Sequence, residues 1–520
     1  MNLNHTRQAD IDMDFPLIKF SENKLDWWRI RDAFEGVQIF GGIGSGKTSG
    51  SGKTIAKSFL KNGFGGLVMC AKKGEAVEWL EYAKQTDRWE DIIVMGKKNK
   101  HELWAEHLKK KKRFDELEIF NSRNRWQSGN DKRFNPLEYE MTREGEGAGE
   151  VFNLTNLFME LYKMGNRFSG GGDTGESERY WDTALKRCLN RIFQTLILAG
   201  EEISVENMRR VVSSAPSEQD IEAIPDMSDE EYLEWMEKES YCAYCINQAG
   251  LSLPPEREDE HDLIYDYFMR QFAKMPEKTR STIEESFLGL AEPFMSGILK
   301  SYFSGETNLR PEITFDGKII ILDFSVKEYL QAGVYAQGIF KLLWQQAIER
   351  RDTDIYPLPA FLWVDESQYF VNEYDTIFQT TARSSRACTV FLTQNISNYY
   401  SQMGGDKAKS KVDSLLGNLS TKIFHANNDA VTNEWASNVI GKDYIVTESR
   451  SEQKKNFALM AESVGKSSSA HLLPQVLPKE FTTLASGGEF YNYKVQAIIQ
   501  MKGREWSNGA NFKMAQFSQI

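Results

Sequence analysis

Histidine and cysteine are scarce in this 520-residue chain, with six of the first and five of the second. The histidines show no metal-ligand spacing of the HExxH kind, and no nuclease, protease or methyltransferase constellation stands beside them. The cysteines (Cys70, Cys188, Cys242, Cys245 and Cys388) are scattered and odd in number, which argues for a reducing cytoplasm rather than a disulfide framework. Cys242 and Cys245 form a lone CxxC without the second pair that a structural zinc site needs, so it reads as incidental. No apolar run approaches the ~18–20 residues of a spanning helix, and no basic-then-apolar leader opens the chain, so a membrane span is not expected. Basic residues are not in excess either: 63 Lys and Arg face 75 Asp and Glu, a net charge of −12. That argues against a general nucleic-acid coat, although a local basic channel needs only the few cations at the contact. Apolar content of 41% and charged content of 27% are those of a globular protein, and the length allows about two to four domains.

What is present is concentrated in Gly41–Thr54, GGIGSGKTSGSGKT. Gly41, Gly46, Lys47 and Thr48 satisfy GxxxxGK(S/T), a loop whose backbone N–H groups cradle phosphates, with Gly42, Gly44, Ser45 and Ser49 completing it. The lysine of such a loop reaches the β- and γ-phosphates, and its hydroxyl ligates Mg2+; ATP and Mg2+ are the implied ligands. Six residues on, Gly50, Gly52, Lys53 and Thr54 repeat the GSGKT string. The second copy would need glycine where Lys47 stands, and the apolar run Val37–Phe40 ends directly at Gly41. Lys47 and Thr48 are therefore the expected phosphate and metal residues, with Lys53 one to two turns into the following helix.

Around the loop the chain reads as strand, helix, strand, helix, strand: Val37–Phe40, Ile55–Lys61, Gly66–Ala71, a helix through Tyr82, and Ile92–Met95. That alternation predicts a parallel α/β sheet. Trp27-Trp28 reads as core. The run Lys109–Arg113 reads either as a DNA-facing patch or as a solvated helix end among acidic neighbours. From about 150 to 305 the pattern is helical, with a glycine-rich polar loop at Gly165–Gly175 and a capping box at Ser228–Glu231. Strands resume at Lys318–Leu322, followed by a long helix over about Ala332–Arg350. Phe361–Val364 then ends in Asp365-Glu366, and Thr389–Thr393 ends in Gln394. Lys422–His425 and Phe490–Ile499 close the fold, and residues 450–470 read as a loop rich in Ser and Lys.

Three features act together. Besides the loop, Asp365 at a strand end suits Mg2+ and Glu366 suits orienting or deprotonating a water at the γ-phosphate. Gln394, at the end of another strand, falls where an open α/β sheet presents residues to ligand and could sense the γ-phosphate. Arg383 and Arg386 precede that strand. Either suits the finger that a neighbouring subunit lends to neutralise transition-state charge, Arg383 ahead of Arg386, or an intrachain salt bridge.

Taken with VQIFGGIGSGKT, GGLVMCAKKGE, RFNPLEY, ERYWDTALKRCL, KTRSTIEESFLGL, FLWVDESQYF, ARSSRACTVFLTQNIS and TKIFHANNDAVTNEWASNVIG, the chain resembles the FtsK/HerA-like ATPases. Within them it is similar to the TraD/TraG-like coupling proteins of type IV secretion and conjugative DNA transfer. The resemblance implies a RecA-like P-loop core, residues 1–145 and 309–520, with an all-α domain inserted at 146–308. It implies an ATPase (ATP and water to ADP and phosphate) that forms a ring, a homo-hexamer with DNA passing through its centre. By the same resemblance Lys47, Thr48, Asp365, Glu366 and Gln394 match catalytic motif positions and Arg383 the finger region. Two departures stand out. Coupling proteins typically carry transmembrane helices, and this chain has none, which points to a membrane-anchored or effector partner. The family's second-strand acid is replaced by Cys70-Ala71. The alternatives to a DNA motor are a nucleotide-switched platform that recruits an effector such as a nuclease, and a translocase of protein substrates.

Overall fold

The computed structural model describes residues 11–123, 128–168, 176–404, 407–452 and 464–520. A hairpin of β1 (Pro16–Lys19) and β2 (Trp27–Arg29) leads into the short helix Ile30–Phe34 and then into β3 (Val37–Phe40). Next come β4 (Gly65–Met69), β5 (Ile92–Gly96), β6 (Ile319–Asp323), β7 (Ala360–Val364), β8 (Ala387–Thr393) and β9 (Thr421–Phe424). A second hairpin, β10 (Lys442–Glu452) with β11 (Val464–Pro474), stands apart, and β12 (Lys494–Met501) and β13 (Phe512–Ser518) end the series.

Nine strands form the central sheet, in the order β13-β12-β9-β3-β8-β7-β4-β6-β5. From β9 to β5 every pairing is parallel, while β12 joins β9, and β13 joins β12, antiparallel. The central strands β3, β4, β7 and β8 are buried residue by residue, as strands covered on both faces must be. Successive side chains feed opposite cores. On one face Val68, Ile321, Phe361, Trp363 and Val390 pack with the helices Lys53–Lys61 and Glu75–Gln85. On the other Leu67, Leu322, Leu362, Val364 and Phe391 pack with the long helix Val326–Arg350.

Between β5 and β6 the described residues are mainly helical: Trp104, Leu108 and Phe120 join the first of these cores, and the apolar faces from Phe134 on merge with the second. Helix Val151–Phe168 lies against Val326–Arg350 closely enough that a Cβ on Gly165 would sit 1.8 Å from Tyr335 Oη. The predicted glycine-rich loop at 165–175 therefore begins later than the sequence indicates: the helix holds Gly165 to Phe168, and 169–175 lie outside the described residues. The loop expected over 450–470 is also corrected. Residues 442–452 and 464–474 pair as the β10–β11 hairpin, and 453–463 lie outside the described residues. Residues 450–452 (RSE) and 464–470 (VGKSSSA) carry no apolar period, so no strand signal is present there.

Trp28 is buried, with Nε1 donating to Thr421 Oγ1, as a core tryptophan does. In the basic stretch Lys98 pairs with Glu106 and Arg113 with Glu116, and Lys109 to Lys112 are exposed at the end of helix Lys100–Lys110. Cys242 and Cys245 are free and buried, and among the described residues no group of three metal-ligating side chains gathers. Among those residues no helix is long and apolar enough to cross a membrane.

Candidate active site

β3 hands over to the glycine loop between the ends of its two neighbours. Gly41 N–H donates to the carbonyl of Thr393, the last residue of β8, and Gly42 N–H to that of Ala426 after β9. Gly44 and Gly46 take φ of +73° and +81°, which L side chains rarely adopt. A Cβ on Gly41 would meet Ser45 Oγ at 2.4 Å, and one on Gly46 would strike Val495 of β12 at 2.6 Å. At Gly41 and Gly46 the loop has no room for a side chain, whereas Gly44 is required by its backbone angle and faces open space. Ser45 Oγ is buried in the loop without a partner. An orphaned hydroxyl costs roughly 1–3 kcal/mol, so the cradle fits an anion that would accept from it. After Lys47 the chain turns helical at Thr48–Gly52 and continues as Lys53–Lys61, so the helix start aims its free N–H groups into the same space.

The other expected residues arrive from β7 and β8. Thr48 Oγ1 donates to Asp365 Oδ2 at 3.0 Å, across 317 residues of sequence. Glu366 sits in the left-handed region at φ 48°, held there by its own N–H donating to Asp365 Oδ1 at 2.8 Å. That backbone aims its carboxylate back over the loop, with Lys47 Nζ at 4.0 Å. Gln394 Nε2 donates to both Glu366 oxygens at 3.3 Å and is fixed from behind by Asn427 Nδ2, which donates to the Gln394 carbonyl at 2.9 Å. Lys47, Thr48, Asp365, Glu366 and Gln394 thus meet at one end of the parallel strands, where all but Asp365, which is bonded to Thr48, line a cleft of about 720 Å³.

Arg383 and Arg386 are not part of this group. They precede β8 at its opposite end, and a seven-residue strand spans roughly 20 Å. Arg386 donates to the Pro357 carbonyl at 3.1 Å, whereas Arg383 is mostly exposed, with Glu35 at 3.7 Å. Neither reaches the phosphate loop of its own chain.

Three residues of the site carried no sequence assignment. Lys72 Nζ donates to Glu366 Oε1 at 2.5 Å, and Gln368 Nε2 donates to Glu366 Oε2 at 2.8 Å. Burial works to raise the Glu366 pKa, but the Gln368 and Lys72 hydrogen bonds and the charge of Lys47 outweigh it and lower it to about 2. Glu366 is firmly an anion, and its acceptor positions are taken. The third is Glu75, first residue of helix Glu75–Gln85. Burial, and then the charge of Asp365, raise its pKa well above the usual carboxyl range. One of its oxygens accepts from the Lys72 N–H at 3.2 Å, and the other is buried without a partner. A buried carboxyl group thus stands close after β4, beside Asp365. At Cys70 itself the backbone is closed off by Gln337, whose amide bonds both its N–H and its carbonyl. The signal in the sequence is the string Lys72-Lys73-Gly74-Glu75, which puts a cation and an acid directly after a buried strand.

Residues 359–485 match the family model described as the TraM recognition site of TraD and TraG. No curated protein matches the sequence. Among solved structures, the bacterial conjugative coupling protein TrwBdeltaN70, unbound, matches with TM-score 0.53 and 10% identity over 95% of this chain and 86% of its own. The plasmid coupling protein TrwB with ADP and Mg2+ matches with TM-score 0.55 and 10% identity, over 95% and 87%. The same protein with the non-hydrolysable ATP analogue ADPNP gives 0.54 and 11%, over 95% and 88%. The chain thus has the RecA-like fold of a conjugative coupling protein and carries, over residues 359–485, the family match of TraD and TraG.

Proposed function

We propose that this protein is a Mg2+-dependent ATPase that works in a ring and moves DNA through its centre. The observation that carries the hydrolytic part is the placement of an ionised, buried Glu366 within reach of Lys47 and Gln394, next to the Thr48–Asp365 pair. The loop N–H groups and Lys47 hold the β- and γ-phosphates, and Thr48 and Asp365 hold Mg2+. Bound Mg2+ supplies charge neutralisation on the phosphate oxygens. Glu366 orients the attacking water, and Gln394 reports on the terminal phosphate. Because Lys72 and Gln368 occupy the Glu366 carboxylate in this state, Lys72 has to let go before water is held there. Arg383, exposed at the far end of β8, suits a neighbour's site better than its own, which supports a subunit-interface mechanism.

TrwB, whose fold this chain shares, is known with ADP and Mg2+ and with a non-hydrolysable ATP analogue, and its conjugative coupling role supports DNA as the cargo, while the free cysteines support a cytoplasmic place of action. The family description names recognition of a protein, TraM, which favours a second role for residues 359–485 as a docking platform for a partner protein. The deciding experiment measures ATP hydrolysis with and without single- and double-stranded DNA, together with the mass of the assembly. Stimulation by DNA, lost in Glu366→Gln while nucleotide binding persists, is the expected result. Hydrolysis indifferent to DNA in an assembly that still captures a protein partner would replace the motor with the platform.

A further inference from the structure

The second GSGKT copy takes no part in the phosphate cradle. Gly50 and Gly52 lie within the helical turn Thr48–Gly52, and Thr54 spends its hydroxyl on the Gly50 carbonyl at 3.0 Å. Lys53 points to the far end of the sheet's last strand, where its Nζ donates to the main-chain carbonyl of Gln519 at 2.8 Å. Gln519 then returns to the loop: its Nε2 donates to Ser49 Oγ at 2.7 Å. The rest of Gln519 is tied down as well. Its Oε1 accepts from Gly488 N–H at 2.7 Å, and its own N–H donates to the Tyr493 carbonyl at 2.9 Å. A Cβ on Gly487 would stand 2.2 Å from that Oε1, so the amide is seated in a space only glycine leaves. Gln519 and Lys53 both border the cleft that the loop lines.

A serine hydroxyl has one hydrogen to give and lone pairs to receive. With a lone pair of Ser49 engaged by the Gln519 amide, the hydroxyl hydrogen is left to donate. Ser49 stands directly after Lys47 and Thr48 at the start of the helix, where an anionic oxygen is the natural acceptor. Resting on the nucleotide reading above, we propose that Gln519 is a nucleotide-positioning residue. It holds Ser49 as a donor toward the phosphate chain, and Lys53 fastens the end of β13 so that this amide stays in place. The duplicated motif is then two devices in series: one lysine for the phosphates and one for the strand that orients the loop's last hydroxyl.

The test is the affinity of the full-length chain for ADP with Mg2+, measured calorimetrically, in Gln519→Leu, Gln519→Glu, Lys53→Met, Lys53→Arg and Ser49→Ala. Leu keeps the bulk and loses the donor, and Kd is expected to rise about five- to tenfold, the size of one hydrogen bond. Glu keeps the acceptor for Gly488 N–H but takes the Ser49 hydrogen for itself and adds a negative charge, so it should weaken ADP more than Leu does. Lys53→Met should follow Gln519→Leu, and Lys53→Arg, which can still donate to the carbonyl, should recover most of the affinity. Adding Gln519→Leu to Ser49→Ala should cost nothing further if the amide acts through that hydroxyl. Wild-type affinity in Gln519→Glu, or full additivity of Leu with Ser49→Ala, would overturn the proposal while leaving the nucleotide reading intact. Failure of the unaltered chain to bind ADP would bring down both.

Discussion

Lys341 and Asp375 form an ion pair closed to solvent on both sides, with Nζ 2.7 and 2.8 Å from the two carboxylate oxygens. It ties the long helix Val326–Arg350 to the segment that follows Glu366, because Lys341 also donates to the Phe370 carbonyl and Asp375 accepts from Asn372 N–H. Removing one partner strands a buried charge, at a cost of ~3–5 kcal/mol. Asp375→Asn and Lys341→Met are each expected to lower the urea midpoint sharply, and the double variant Lys341→Met/Asp375→Leu less than either. Equal loss in all three would show that the pair's charge is not what matters.

The two lysines of the duplicated motif should separate cleanly. Lys47, buried in the loop, faces Glu366, whereas Lys53 faces Gln519. Lys47→Ala is expected to slow hydrolysis by about a hundredfold or more, as loss of a fixed donor to developing charge does. Lys53→Ala should act chiefly on nucleotide affinity and slow turnover by less than about tenfold. Steady-state rates across ATP concentration check both; an inactive Lys53→Ala would move the working loop six residues along.

Acid should loosen the floor of the loop through His425. This side chain is fully enclosed, bonded to Ser51 Oγ at 2.7 Å and to the Gln496 carbonyl at 3.0 Å, and faces the charge of Lys47. Burial lowers its pKa to about 4, against an unfolded value near 6.5. Between those values the unfolded chain binds a proton that the native one refuses, so stability falls as pH drops from about 6.5 toward 4. The whole effect is about 3 kcal/mol. Melting curves from pH 7 to 4.5 should show a downward slope that is shallower in His425→Gln.

Helix approach at Gly165 sets a steric limit. With Tyr335 Oη only 1.8 Å from where a Cβ would stand, Gly165→Ala should cost about 1–3 kcal/mol by overpacking. Tyr335→Phe in the same chain should recover part of it. A Gly165→Ala variant that melts with the wild type would mean that the two helices separate at little cost.

Much of this was legible in the sequence because parallel strands buried on both faces must be written as unbroken apolar runs. Val37–Phe40, Phe361–Val364 and Thr389–Thr393 announced themselves, and the residue after each run is the one the sheet presents at its edge. That is why the loop, Asp365, Glu366 and Gln394 can be read together from the sequence alone. Lys72, Gln368 and Glu75 could not. Their roles come from the left-handed turn at Glu366 and from the depth of Glu75, neither of which has a residue code. The β10–β11 hairpin escaped for a different reason: where Ser449–Glu452 pairs with residues 464–467 the sequence carries no apolar alternation to mark a strand.

The bracing of the glycine loop by β12 and β13 has a consequence for how the molecule comes into being. Val495 closes against Gly46, and Gln519 reaches Ser49, so the loop waits some 470 residues of further synthesis for its last contact. At ~5–20 residues per second that is roughly half a minute to a minute and a half. Until β12 and β13 have been made the loop lacks their support, and the share of its grip on nucleotide that runs through Ser49 is acquired late.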